Sequence, residues 1–483
     1  MGSNHSRDDA KEDIPATTTT ATLDTNPVAP RHYTDYQEFP EDACVHIMYF
    51  LEPKYHIICR RISRLWLLAA SRARMSLEFV DNEFIPEKIN SIICSLQGMN
   101  LVSLKLYGDM VRKEGVGLIG SLLVNLETLV LGANYIGDDG VNIIMESELT
   151  KLKKLALVNI QLSRDGVICI ASKGSRFKHL EKLRLTMRIF GNEIQQLMES
   201  EVVTQLKKLC LESSEFTIPN EKIFKTGNVK NLTSFSISHH NINSFIGQIL
   251  SNPQFSNLTS LNLSDHFVIS QDSIETLAAC PYFSNLKRLN LNSGGRFDEE
   301  EMKLFTSSPY LLNLQEISLV DVKLRLDAVK ILCNSKTMSS LTKLNIWESD
   351  IGSEGAVYLA NSPFLHNFTE LNLGNNRISS KGLIALAKSA NMSHLTRLNI
   401  TSNNITAEGV KALPSSDYLK NLRWLNLSHN PIGEEGAQAI ASCVNFRQLT
   451  WLNVLYTSIG EKGTAAIRSS TTLRRPLTLI CNQ

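Results

Sequence analysis

The feature that most restricts how this chain can fold is a phrase, LxxLxL, that returns sixteen times along its 483 residues. It is plainest at 368–392, FTELNLGNNRISSKGLIALAKSANM. A short alternating stretch points Leu371 and Leu373 inward and the chain turns at Asn376. Ile378 and Gly382 then lead into a helical stretch with Leu383, Leu386 and Ala387 on one face. Such a unit has an apolar face and nothing of its own to cover it, so it must stack on a copy at each side. The middle apolar residues of the phrase are Leu77, Leu104, Leu129, Leu155, Leu183, Leu209, Phe235, Leu261, Leu289, Ile317, Leu344, Leu371, Leu398, Leu425, Leu452 and Leu477, spaced by 25 to 28 residues. The spacing predicts sixteen parallel strands, each followed by an outer element.

A unit of this length has room for a full helix. A glycine recurs six residues after the asparagine position, at Gly115, Gly140, Gly166, Gly355, Gly382, Gly409, Gly436 and Gly463, where the helix begins. A small residue there lets helix and strand approach closely. These phrases, LNLGNNRISSKGLIALA above all, resemble the ribonuclease-inhibitor class of leucine-rich repeats over residues 76–483. The resemblance implies an α/β horseshoe solenoid, with parallel strands on the concave face and helices on the convex one. From Leu183 to Ile317 the glycine is missing, and Arg188, Ser214, His240, His266, Gly294 and Val322 occupy the asparagine position. That stretch has either drifted structurally or become the variable part of a recognition surface.

A formal net charge of +1 argues against a dedicated nucleic-acid binder. Nine cysteines, scattered and without a CxxC pair or a secretory signal, read as reduced intracellular thiols, and so as a cytoplasmic or nuclear protein. No apolar run is long enough to span a bilayer. The N-x-[ST] sequons at Asn231, Asn257, Asn367 and Asn426 follow from the repeat phrase, and glycosylation is not expected.

Residues 1–37 contain TTTT, prolines and acids without apolar periodicity, which predicts a disordered tail. Its start, MGSNHS, fits the signature for myristoylation of Gly2. One such chain holds a membrane only marginally, and the tail has no polybasic cluster to help it. Any membrane contact through Gly2 is therefore expected to be reversible and peripheral.

Residues 38–75 lack the repeat. Pro40 suits a first helical turn, with Glu41 and Asp42 near its positive end. Val45, Ile47, Met48 and Leu51 make an amphipathic stripe that Pro53 stops, and a second helical stretch ends near Trp66. This segment resembles an F-box, the small all-α motif by which substrate receptors dock onto the Skp-type adaptor of a cullin–RING ubiquitin ligase. The resemblance assigns adaptor contacts to Phe39, Pro40, Ile47, Leu51, Pro53, Ile62 and Trp66. His56, Phe39 and Arg61 depart from the usual pattern. Without the resemblance, the same segment reads as a helical cap over the first repeat.

No phosphate loop, HExxH or serine elbow is present, so neither a catalytic centre nor a metal or other cofactor is expected. Binding surface is the expectation instead. Residues flanking the inward leucines face outward on the strands, and there stand Trp347, Arg397, Trp424 and Trp451, with Leu455 and Tyr456 closing the same region. Exposed Trp, Tyr and Arg together have the composition of a binding hot spot. A second, basic candidate, Lys153, Lys154, Lys182, Arg184, Lys207 and Lys208, is interrupted by Glu181 and Glu212 and reads as a solvated charged edge. Asn134, Asn376, Asn403 and Asn430 read as turn residues that bond the neighbouring coil, and the LNL asparagines as structural too.

The F-box resemblance implies a non-catalytic substrate-recognition subunit, with the Skp-type adaptor and an unidentified protein substrate as partners. The glycine-containing repeats also resemble those of Ran GTPase-activating proteins, though the acidic C-terminal run usual in that family is missing. A plain interaction scaffold is the third reading.

Overall fold

The computed structural model describes residues 74–79, 86–190, 192–216, 228–238, 247, 252–264, 271–292, 295–473 and 476–481. Gly2 and every residue assigned to adaptor docking, from Phe39 to Trp66, lie outside them, as do His239, His240, His266 and Gly294.

Sixteen strands form one parallel sheet in which each strand pairs with the next along the chain. It opens at Met75–Phe79, so the degenerate first phrase is a true strand, paired with Leu101–Tyr107. The repeat residues fall into register as their spacing requires: Leu344, Leu371, Leu398, Leu425 and Leu452 are direct partners across neighbouring strands. One expectation needs correction. The last strand is Thr478–Ile480, and the partner of Leu452 is Leu479 rather than Leu477. The ending LTLI offers two leucines two residues apart, and both satisfy the inward alternation. A second, two-stranded sheet, Arg296–Phe297 with Lys323–Leu324, is not signalled by the phrase at all.

Helices follow the strands and pack on one another in chain order, Gly352–Ala360 on Ser379–Ala387 and Gly433–Ala441 on Gly460–Ser469 among them. Strands sit about 4.8 Å apart and helices 8–10 Å apart, so stacking both in step makes the strand side concave. The core between the layers is nearly dry: Leu371, Leu398, Leu425 and Leu452 are at most 2% exposed.

Three side-chain ladders hold successive coils together. Buried asparagines form the first. The Oδ1 of Asn403 accepts from the backbone N–H of Asn376 (3.0 Å) and Ile378 (3.1 Å), while its Nδ2 donates to the carbonyls of Leu373 (2.8 Å) and Thr401 (2.9 Å). Asn430 repeats the pattern one coil later. Asn134 does so near the start. The expectation of a structural role for these asparagines is met.

A second ladder explains most of the sequons. Asn231, Asn257 and Asn367 each donate Nδ2 to a carbonyl of the preceding coil, at 2.6, 2.8 and 3.1 Å. In the third, the hydroxyls of Ser308, Ser335, Ser362, Ser389, Ser416 and Ser470 each donate to the previous coil. Cys280 and Cys443 stand in that serine column one unit before and one unit after Ser308 and Ser416. Burial raises both thiols to about 11, despite backbone N–H groups directed at them.

The helix glycines are there because of space. A Cβ on Gly382 would lie 2.9 Å from the Cβ of both Ala356 and Ile378, and one on Gly463 would lie 2.8 Å from that of Ala437. Among the described residues no helix is long and apolar enough to cross a membrane.

Candidate functional site

Parallel register places residues of the same repeat position side by side on the concave face. Just before the central leucine this produces the row Glu316, Lys343, Glu370, Arg397, Trp424 and Trp451. Lys343 Nζ lies 3.3 Å from Glu316 and 3.0 Å from Glu370. Burial works to lower its pKa, but the hydrogen bonds and charges of Glu370 and Glu316 prevail and hold it above the ordinary lysine value. Arg397 Nε is 3.7 Å from the same Glu370, and its guanidinium carbon sits 5.0 Å from the ring centre of Trp424. Trp424 and Trp451 then stack face to face, centroids 4.3 Å apart and planes 7° apart. Strand spacing alone sets this distance, since two indoles at one position on adjacent strands have no room to splay.

The next row holds Asn345, Asn372, Asn399, Asn426 and Asn453. Each Oδ1 accepts the backbone N–H two residues on, at 3.3, 3.2, 3.2, 3.1 and 2.9 Å. Because an N–H can only donate, the oxygen of each amide is fixed toward the turn, and the NH2 is left on the half-exposed side. The structural reading of these asparagines holds for the oxygen; the amide NH2 groups remain as a line of donors.

Beyond this row the backbone enters the left-handed region at non-glycine residues, φ 56° at His429 and 54° at Tyr456. This bend carries both side chains to the rim, where their rings stack at 4.6 Å. Tyr456 is 62% exposed, and Leu455 is half-buried beside it.

The structure therefore brings Arg397, Trp424, Trp451, Leu455 and Tyr456 into one neighbourhood. Trp347 is on the same face but four strands from Trp451, about 19 Å at the usual spacing. Its indole lies against Gly374, where a Cβ would stand 3.4 Å from the ring, and its buried Nε1–H has no acceptor. Sequence reasoning missed His429, Arg423 and Glu370. His429 was detectable as the residue one repeat before Tyr456.

The early basic residues are largely neutralised. Lys153 pairs with Glu127 at 2.9 Å and Lys207 with Glu181 at 2.7 Å, and each lysine's hydrogen bond holds its glutamate below the usual carboxylate range. Arg184 forks onto Glu212 at 3.0 and 2.9 Å. Among the described residues no three His, Cys, Asp or Glu side chains are placed to hold a metal. A hollow of about 540 Å³ lies between the helices Glu299–Thr306 and Leu326–Cys333, away from the aromatic row.

Comparison with known proteins agrees with this architecture. The family described as "Leucine Rich repeat" matches residues 337–360, 364–387, 391–413 and 418–441. No curated protein sequence matches the chain. Among solved structures, the internalin inlF from Listeria monocytogenes shares 17% identity over 82% of this chain and 95% of its own, with a TM-score of 0.35. The Rad7–Elc1 complex of yeast shares 18% identity over 82% of this chain and 88% of the matched chain, with a TM-score of 0.44. Neither likeness is close enough to carry an argument about function. The matched segments and the sheet register together show leucine-rich repeats, stacked into a solenoid that serves as a protein-interaction scaffold.

Proposed function

We propose that this protein is a substrate-recognition subunit of a cullin–RING ubiquitin ligase, performing no covalent chemistry itself. Residues 38–75 would dock onto a Skp-type adaptor through Phe39, Pro40, Ile47, Leu51, Pro53, Ile62 and Trp66. The array over 76–483 would hold the protein to be ubiquitinated. The single supporting observation is the order of parts: a segment with F-box spacing ends just before the array opens at Met75. An interaction scaffold with a docking motif at its head has the two attachments that a receptor needs. Residues 1–37 form the tail, and a myristoyl group on Gly2 would add reversible membrane contact to a cytoplasmic protein.

The test is co-purification of the full chain with a Skp-type adaptor. Capture by the wild type, lost on combined substitution Phe39→Ala, Pro40→Ala and Leu51→Ala while the melting temperature of the array is unchanged, is the expected result. Failure of the wild type to capture any such adaptor sinks the proposal and leaves the scaffold alone.

A further inference from the structure

We infer that the concave face of the repeats spanning Arg397 to Tyr456 receives an acidic protein segment carrying an apolar or aromatic anchor. The inference refines the substrate-holding half of the proposed receptor and is independent of the adaptor-docking half.

The first observation is a segregation of charge. Between residues 395 and 458 the acids are Glu408, Asp417, Glu434 and Glu435. None is on a strand: Glu408, Glu434 and Glu435 are in helices and Asp417 is in the turn before Leu419–Asn421. Two of them are already matched on that side, Glu435 by Lys411 and Asp417 by Lys420. On the strand side stand Arg397, 52% exposed, Arg423 just before Trp424, and His429 at the rim. No carboxylate faces them from within these three repeats. Glu370, one repeat earlier, touches Arg397 only at 3.7 Å.

The second observation concerns hydrogen-bonding sense. The amides of Asn399, Asn426 and Asn453 have their oxygens taken by the backbone, so they present NH2 groups. With Arg397 and Arg423 they make a surface that donates and scarcely accepts. Its complement is a set of carboxylates and carbonyls.

The third is the Trp424–Trp451 stack with Leu455 and the His429–Tyr456 pair beside it. Stacked face to face, the half-buried rings present their edges as an apolar ridge on the concave face, suited to packing against one large side chain of a partner. The site also has a boundary. Glu370, between Lys343 and Arg397, returns a carboxylate to the row, so the acidic part of the bound segment must end near Arg397. Nucleic acid would also stack on indoles, but two arginines and a net charge of +1 give little of the phosphate neutralisation that such binding needs.

The experiment selects random peptides displayed on phage against the full chain, with depletion on the Trp424→Ala/Trp451→Ala variant. The expected consensus places Asp or Glu beside Phe, Trp, Tyr or Leu. The synthetic consensus peptide should weaken about tenfold or more with Arg397→Glu or Trp451→Ala. Replacing its acids by lysine should restore binding to Arg397→Glu. Three results would overturn the inference: no enrichment above the depleted variant, a consensus rich in Lys or Arg, or a single-stranded oligonucleotide binding the same tryptophans more tightly than the peptide. Adaptor capture is measured separately, so failure here leaves the docking proposal standing, and the reverse also holds.

Discussion

From Leu344 to Leu479 every coil is 27 residues long, its strand has three residues, and a buried polar residue follows it, Asn376, Asn403 and Asn430 in the middle coils and Ser349 and Thr457 at the two ends. From Leu155 to Ile317 the coils run 26 or 28 residues and the strands vary, with nine residues each in Lys182–Phe190 and Lys208–Phe216 and three each in Ser260–Asn262 and Arg288–Asn290. The asparagine strengthens the short coil without being required for it, since Val322, Ser349 and Thr457 hold its position after other three-residue strands. Where present, its side chain satisfies two N–H and two C=O groups of the turn and so secures the exit of the chain from the sheet. Arg188 and Ser214 stand in its place in the two long strands, and there the backbone stays paired as far as Phe190 and Phe216. The unit before them, Lys154–Leu162, also has nine residues and carries Ile160 at that position; its pairing slips after Leu157, and Asn159 and Gln161 are left-handed. Equal coil length has a functional consequence as well. It lines side chains up row by row, and the tryptophan stack exists only in the equal block.

The helix side shows the same contrast. Between Leu183 and Leu344 the glycine column of the equal block is occupied by Glu193, Ser273, Glu301 and Ala328. Glu193 is 4% exposed, with an oxygen that lacks a hydrogen bond and Arg164 only at 3.8 Å. Glu301 is tied into the capping box of its own helix with Asp298, and burial raises its pKa. The hollow between the helices Glu299–Thr306 and Leu326–Cys333 lies in this looser zone.

The largest predicted effect tests the asparagine directly. Asn403→Ala removes four hydrogen bonds from a fully buried site and should cost about 4 kcal/mol, with faster amide exchange over both flanking turns. Val322→Ala, at the same repeat position three coils earlier, should cost only about 2 kcal/mol. Equal losses in urea melts of the two variants would break the comparison.

Next comes the glycine column. Gly382→Ala puts a methyl group 2.9 Å from two side-chain carbons and should destabilise by about 2 kcal/mol. Ala328→Gly, at the corresponding position, should stay near the helix-propensity difference of about 1 kcal/mol.

The pH limits should separate the blocks more weakly. Glu127 and Glu181 have lowered folded pKa values, so their contribution is present above the unfolded value of about 4.3 and is lost as pH falls through the lower folded one. Lys343 has a raised value, so its contribution is complete below about 10.4 and is lost as pH rises through the higher folded value. Local exchange should loosen first in the early strands in acid and around Lys343 in alkali. The exposed early pairs should lose their effect in high salt.

The smallest effect is expected for Cys443→Ser. It restores the residue used elsewhere in that column and should shift stability by less than about 1 kcal/mol, read from the same urea melts.

The legibility of the chain follows the same division. Leu77 through Leu452 could be placed from their spacing because each is a buried residue repeated at one phase of the coil. Leu477 was misplaced because at an end there is no next coil to choose between two inward leucines. The residues of the aromatic surface could be named from the strand alternation, but their geometry could not. Trp424 and Trp451 stack on adjacent strands; Trp347 shares their face yet sits apart, packed on Gly374.

What the sequence determined by itself was the period, the inward residues, the buried asparagines and the tight glycines. All of these are demands that a single coil makes on its own composition. Tertiary structure decided which side chains meet: Arg397 over Trp424, the stacked indoles, the amide NH2 groups turned outward, and the acids sorted away from the strands. Those relations depend on the registration of one coil against the next, which hydrogen bonds between strands establish and no single repeat contains.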